Sequence, residues 1–350
     1  MLKICERPAV GGQRFEMRPL KQQLLKYLSR ESSVEVTDGE VVITDDVPWF
    51  DRNSASRRVS REIRDPLTRT KIIELIQQGF TVVENAVDVE LCDRAVAGFS
   101  DWKKRNEPAL SKFHETDGRL MRIINFHQTL PVLKTLFSRN RSVALQDYLF
   151  EKPAALYTSL FYEQGSAQPI HRDIPLFWTY PACMYFGMWV ALEDTDDGNG
   201  PLEVVSGGHK IGVIDRGAIA AKRFAKETAI PAMSNELWMD YQDEVTKRTR
   251  EKNLTKKKIY VKKGDVILWH PLAPHGGSPI NDTSRTRMSL VVHTTPKGVP
   301  VFHMDVFFNP SRRVKEYAAW PYSDFEGRAI AETGPMSIGH GIDYDFSTLK

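Results

Sequence analysis

The chain has 350 residues, 41% of them hydrophobic and 27% charged, with a formal net charge of +3. This length can bury a sizeable core, and the near-neutral balance gives no general case for a nucleic-acid or membrane partner. Three widely spaced cysteines, Cys5, Cys92 and Cys183, indicate neither a disulfide framework nor a zinc knuckle, and no N-terminal apolar stretch reads as a targeting signal, so the expected location is cytoplasmic.

Residues 1–64 read as an irregular N-terminal extension with a short helix from Leu20 to Ser29, a hairpin from Val34 to Thr44 turning at Asp38-Gly39, and a basic linker from Arg57 to Arg64. A regular rhythm begins at Asp65 and defines a domain over 65–309: helix from Thr68 to Gln78, strand from Gly79 to Val83, helix from Asp88 to Trp102, and more helix from Gln128 to Leu149. Strands follow at Ala155 to Tyr162, Pro169 to Asp173, Tyr185 to Glu193, Glu203 to Val205, Lys258 to Val261, Asp265 to His270 and Arg287 to Thr294. So many short strands predict a mainly β fold, a jelly roll or related barrel with helices packed outside. An insertion at 210–257, with a helix capped by Ser234 and running to about Lys252, is placed as a lid or substrate-selecting segment. Residues 310–350, rich in Gly, Pro and polar side chains, read as a tail that wraps the core.

The chemistry is concentrated in His171-Arg172-Asp173 and, about a hundred residues later, His275-Gly276-Gly277-Ser278 followed by Arg287. Residues two apart on a strand share a face, so His171 and Asp173 can bind one ion. A distal His completes the 2-His-1-carboxylate set that holds non-haem Fe(II) and leaves positions open for other ligands. His270, His293 and His209 are rivals for that place; His275 is preferred because Gly276 and Gly277 let backbone crowd a ligand and Ser278 can hydrogen-bond a carboxylate. The buried anion anchor is expected at Arg287, which opens a strand, rather than at Arg285 in the preceding loop.

Six motifs in order resemble the phytanoyl-CoA dioxygenase family: Gln168 through Asp173, Trp189 through Asp196, Asn199-Gly200-Pro201-Leu202, Ser206 through Lys210, Gly264-Asp265-Val266, and His275 through Arg287. The resemblance covers roughly Asp65 to Asn309. It implies a double-stranded β-helix (jelly roll, cupin-like) core and an Fe(II)/2-oxoglutarate-dependent dioxygenase. On this resemblance His171, Asp173 and His275 are the metal ligands, Arg287 holds the 2-oxoglutarate carboxylate, and Trp189 and Ser278 line the cosubstrate. O2 would be the co-reactant, with succinate and CO2 released. Asp173 stands where halogenating relatives carry a small residue, which favours hydroxylation of a C–H bond. The family pattern has one Gly between the distal His and the Ser; this chain has Gly276-Gly277.

The expected substrate is a small metabolite or natural-product intermediate, with an acyl-CoA second. The rival readings are a non-catalytic metal-binding jelly-roll module and a protein whose basic run (Lys247 to Lys258) meets a nucleic-acid-type ligand. Asp194 through Gly200 is read as a polar turn and not a calcium loop, since the fifth and sixth positions lack the required residues. Phe177 and Trp178, just past Asp173, are placed either in the core or in a substrate wall.

Overall fold

The computed structural model describes residues 47–226, 229–309, 320–339 and 345–349, with the backbone of two short strands before them. The chain divides into two units, Met1–Asp45 and Asp46–Lys350. In the first, β1 (Val36–Thr37) pairs antiparallel with β2 (Glu40–Val41), Val36 opposite Val41. The turn at Asp38-Gly39 and the helix expected at Leu20 to Ser29 lie outside the described residues.

The second unit opens with α1 (Ala55–Glu62) and α2 (Pro66–Gln78). The basic stretch read as a linker is therefore mostly helix. Val59 and Ala55 are buried in the main core, and Arg58 is held by Glu62 (3.0 Å) and Glu151 (2.6 Å). The compact unit thus takes in residues that the sequence assigned to an extension. Helix α2 has clear signals: Asp65 accepts a hydrogen bond from the Thr68 N–H at 2.7 Å, Pro66 starts the helix, and Gly79 ends it at φ +84°.

There follow β3 (Phe80–Val83), α3 (Val89–Leu110), β4 (Ile123–Ile124), α4 (Val132–Ser138), α5 (Ser142–Phe150) and β5 (Ala154–Tyr162). Helix α3 runs well past Trp102 because Trp102, Asn106 and Leu110 continue its buried face. Next come β6 (Trp178–Thr179), β7 (Phe186–Ala191), β8 (Leu202–Val205), α6 (Arg216–Ala221) and α7 (Asn235–Glu251). Ser234 caps α7, accepting from the Leu237 N–H at 3.2 Å, as the sequence predicts. The chain continues through β9 (Lys256–Ile259), β10 (Val266–Trp269), β11 (His275–Gly277), β12 (Ser289–Pro296), β13 (Val301–Phe302) and α8 (Met304–Phe307). The expected tail supplies β14 (Tyr322–Phe325), β15 (Arg328–Ala331) and β16 (Ser337–Ile338). Ile330, Ala331 and Ile338 are fully buried, so this segment extends the core by strand pairing.

The large sheet has the order β14-β15-β5-β12-β7-β10-β3, with β4 and β16 branching from it. A smaller sheet, β11-β8-β9, faces it. Period-two alternation sorts the central strands: Phe161, Met188, Val190, Leu268, Leu290 and Val292 meet the helices, while Trp189, Ile267, Trp269 and Val291 meet the small sheet. Both faces are covered, which is why β7 and β10 read as continuous apolar runs with little alternation. Among the described residues no helix is long and apolar enough to cross a membrane.

Candidate metal centre and cosubstrate pocket

His171, Asp173 and His275 converge. Their ligand atoms lie within 4.8 Å of one another, and all three residues are buried. The local geometry differs from the expected strand. His171 makes an isolated antiparallel bridge with His275, through N–H to carbonyl bonds of 2.8 and 2.9 Å in the two directions. Asp173 has already left extended backbone (φ −75°, ψ −17°) and starts a one-turn helix, Ile174–Leu176. The two ligands meet because the chain turns at Asp173, not because they share the face of a regular strand.

The bridge also explains the doubled glycine. A Cβ on Gly276 would lie 2.6 Å from the Gln168 carbonyl oxygen, and one on Gly277 would lie 3.0 Å from the Ala167 backbone nitrogen. β11 must run tight against residues 167–170 to bring His275 opposite His171; at Gly276 a side chain would force the backbone apart, and at Gly277 it would crowd it.

The imidazoles are pre-oriented. His171 Nδ1 lies 2.7 Å from the Pro169 carbonyl and His275 Nδ1 lies 3.1 Å from the Ala273 carbonyl. A carbonyl only accepts, so each Nδ1 carries a proton and each ring turns its Nε2 inward, the nitrogen that is free to ligate a metal. Those Nε2 atoms stand 3.2 Å from Asp173 Oδ1 and 3.3 Å from Oδ2. Burial alone would raise the Asp173 pKa; His275, with hydrogen bonds from His171, His275 and His293, outweighs it and holds the carboxyl well below its ordinary range. The donor set is two imidazole Nε2 atoms and an ionised carboxylate, which suits a divalent transition ion.

Sequence reasoning undervalued His293. Its Nε2 lies 3.4 Å from Asp173 Oδ2, and its ring stacks on Phe177 at 4.0 Å. The signal was available: Arg287, Ser289, Val291, His293 and Thr295 alternate along one edge of the sequence. On that row Arg287 Nε, Ser289 Oγ, His293 Nδ1 and Thr295 Oγ1 are buried and have no hydrogen-bond partner among the described residues. Tyr185, 6.0 Å from the His293 ring, buries its hydroxyl near Asp173; burial first and the Asp173 charge next push its pKa well up.

Arg287 is 3% exposed and precedes β12 by two residues. Its Nη1 donates to the Gly200 carbonyl, and its guanidinium lies 5.5 Å from the Trp189 ring centroid. It has no carboxylate partner among the described residues, and burial lowers its pKa to about 10, which leaves it charged at neutral pH. The Ser278 hydroxyl is buried with no partner as well. Arg285, by contrast, is exposed and paired with Asp196 at 2.8 Å. A buried, charged fork with no anion of its own, together with an orphan hydroxyl, fits a bound carboxylate.

The rivals are accounted for. His270 bonds Asp51 at 3.0 Å and lies 5.2 Å from the His209 ring, so these histidines pack together in a separate structural contact. In the basic run, Lys256, Lys258 and Arg248 are committed to Glu203, Asp197 and Glu244 at 2.7 to 2.8 Å. The insertion helix α7 lies on the site: Gln242 accepts from the Arg172 N–H (2.9 Å) and donates to its carbonyl (3.0 Å), and Trp238 sits 5.7 Å from the His171 ring.

The phytanoyl-CoA dioxygenase (PhyH) family model matches residues 75–289, more than half of the chain. The peroxisomal phytanoyl-CoA dioxygenase of Mus musculus is 27% identical over 158 residues, 45% of this chain and 40% of that protein. The Rattus norvegicus enzyme is 24% identical over 255 residues, 72% of this chain and 62% of its own. The matched part therefore spans less than two thirds of these relatives. Among solved structures, the epimerase SnoN in complex with Fe3+, alpha ketoglutarate and nogalamycin RO aligns with a TM-score of 0.55 at 16% identity, over 76% of this chain and 99% of that one. The non-heme alpha ketoglutarate dependent carbocyclase SnoK aligns at a TM-score of 0.52 and 13% identity, over 78% and 98%. These likenesses establish the fold, a double-stranded β-helix core with flanking helices.

Proposed function

The chain belongs to the phytanoyl-CoA dioxygenase family, and on that premise we propose that it is an Fe(II)- and 2-oxoglutarate-dependent dioxygenase that hydroxylates a C–H bond of a small metabolite or natural-product intermediate. The carrying observation is the pairing of a buried His-Asp-His cluster with a buried guanidinium that has no carboxylate partner among the described residues.

His171, Asp173 and His275 would hold the iron, and Arg287 with Ser278 would hold the far carboxylate of 2-oxoglutarate beside Trp189. When bound, the metal and cosubstrate supply the oxidising chemistry: O2 and 2-oxoglutarate are consumed, succinate and CO2 leave, and one oxygen atom is delivered to the substrate C–H bond. The chain's own residues prepare that chemistry. Backbone carbonyls fix both imidazole tautomers. Asp173 stays ionised, and His293 donates to Oδ2, which fixes the carboxylate plane. Trp189, Trp269 and Val291 wall the inner face and exclude water, so the Arg287 charge is met by the anion and not by solvent. Phe177 and Trp238 border the triad on the side of the insertion and give an apolar surface suited to a carbon-rich small molecule.

The test is succinate formation from 2-oxoglutarate with Fe(II) under air, across a panel of candidate metabolites. The expected result is substrate-stimulated succinate in the wild type and none above background in His171→Ala. Undiminished turnover in His171→Ala would overturn the assignment.

A further inference from the structure

A second guanidinium, on the half-buried Arg216, stands outside the triad and the Arg287 pocket. Arg216 opens α6 in the insertion. Its guanidinium carbon lies 4.3 Å from the Trp178 ring centroid and 4.7 Å from that of Phe307, so aromatic rings cover it. It makes no side-chain hydrogen bond or ion pair among the described residues, and its Nη1 is buried without a partner. Its sequence neighbour Asp215 is committed elsewhere, accepting from the Ala218 N–H at 2.8 Å. Burial lowers the Arg216 pKa, opposed by Tyr241, Cys183 and Asp215.

The residues around Arg216 adjoin those that border the metal centre. Trp178 follows the turn that begins at Asp173, and its neighbour Phe177 stacks on His293. Helix α7 brings Trp238 to His171, Gln242 to Arg172, and Tyr241 edge-on to Phe307 at 5.2 Å. Trp178, Phe307, Tyr241, Tyr185 and Ile174 share one apolar cluster. A desolvated cation with no anion is costly, and aromatic faces recover only part of that cost. Rings that cover a planar fork leave its edge as the surface for a partner. That edge matches a carboxylate, which accepts two parallel N–H bonds in the same plane.

We propose that Arg216 is the substrate anchor, and that the substrate is an organic carboxylate whose acid group docks on the Arg216 edge while its hydrocarbon part reaches toward the triad. This rests on the oxygenase reading for the identity of the second ligand, but its binding test does not need turnover.

Full-length protein, metal-free and in parallel loaded anaerobically with Fe(II) and 2-oxoglutarate, is titrated with benzoate, 3-phenylpropanoate and octanoate and with the three corresponding amides, following the melting temperature. The acids are expected to raise the wild-type melting temperature and the amides to leave it unchanged. Arg216→Met should weaken the acid response at least tenfold in concentration, and Arg216→Lys, which keeps the charge but not the fork, should fall between. If Arg216→Met does not fold, Arg216→Lys alone decides, through the same loss of response. Acids and amides acting alike on the wild type, or acids protecting an Arg216 variant as well as the wild type, would overturn the proposal. Inorganic phosphate protecting where the acids do not would overturn the carboxylate assignment. Failure of 2-oxoglutarate to bind the Fe(II)-loaded wild type would instead strike the oxygenase reading, leaving the Arg216 comparison in the metal-free arm to stand or fall by itself.

Discussion

The two faces of the central sheet are both buried, yet they are built for different ends. On the helix side, Phe161, Met188, Val190, Leu268, Leu290 and Val292 are fully buried, and the polar groups against them are mostly matched: Asn140 and Ser142 donate to the Met188 sulfur, Thr294 donates to Gln146, and Trp102 Nε1 is an exception. On the inner side, Arg287, Ser289, His293 and Thr295 on the row along β12 each bury an unpartnered polar atom. An unpaired buried group is a liability that a folded chain rarely tolerates without a role. The contrast separates a face that stabilises the fold from one that gives up stability to receive a ligand.

Substitutions on the two faces should separate accordingly. The largest loss of stability is expected on the helix side. Phe161 packs on Phe99 at 4.6 Å and Phe126 at 5.5 Å. Phe161→Ala should cost about 3–5 kcal/mol in denaturant unfolding. A cost under about 1 kcal/mol would mean that this face is not the stabilising one.

On the inner face the pattern should invert. Arg287→Met should weaken 2-oxoglutarate binding by roughly a hundredfold, in line with the loss of one partner of a buried charge pair. The melting temperature should hold or rise, because a buried cation without an anion is removed. Calorimetry and thermal melts check the two halves, and a large drop in stability with unchanged affinity would erase the contrast.

A smaller effect concerns pH. His127 and His209 lie outside the triad, and burial depresses each pKa from 6.5 to about 3. Between those values the unfolded chain binds more protons than the folded one, so stability falls as pH falls through 6.5 toward 3. Each should contribute a loss of about 2 kcal/mol at pH 5. Melting temperatures from pH 7.5 to 5 should decline, with a shallower slope in His127→Gln; an unchanged slope would show that His127 is not held neutral.

Much of this was legible in the sequence, for identifiable reasons. Ser234 announced its helix because a cap is a local signal. The His-x-Asp, His-Gly-Gly-Ser and Arg order located the triad because few residue types can do that chemistry. What could not be read was the path of the backbone. Extended backbone was assigned through Asp173, whereas the chain turns there; Pro175, in the first turn of the short helix, is the local mark that this reading passed over. The doubled Gly276-Gly277 looked like a departure from a family pattern, and its cause, the close passage of residues 167–170, is a tertiary contact. β14 has no buried side chain of its own and sits at the sheet edge beside β15, so its alternation was too weak to mark it as a strand.

The central claim is that His171, Asp173 and His275 hold one iron and Arg287 holds the cosubstrate beside it. Anaerobic calorimetry of the full-length protein with Fe(II), then 2-oxoglutarate, tests it most directly. The account predicts one Fe(II) and one 2-oxoglutarate per chain in the wild type, no Fe(II) site in Asp173→Ala, and an intact Fe(II) site with weakened 2-oxoglutarate binding in Arg287→Met. Equal Fe(II) binding by wild type and Asp173→Ala would contradict it.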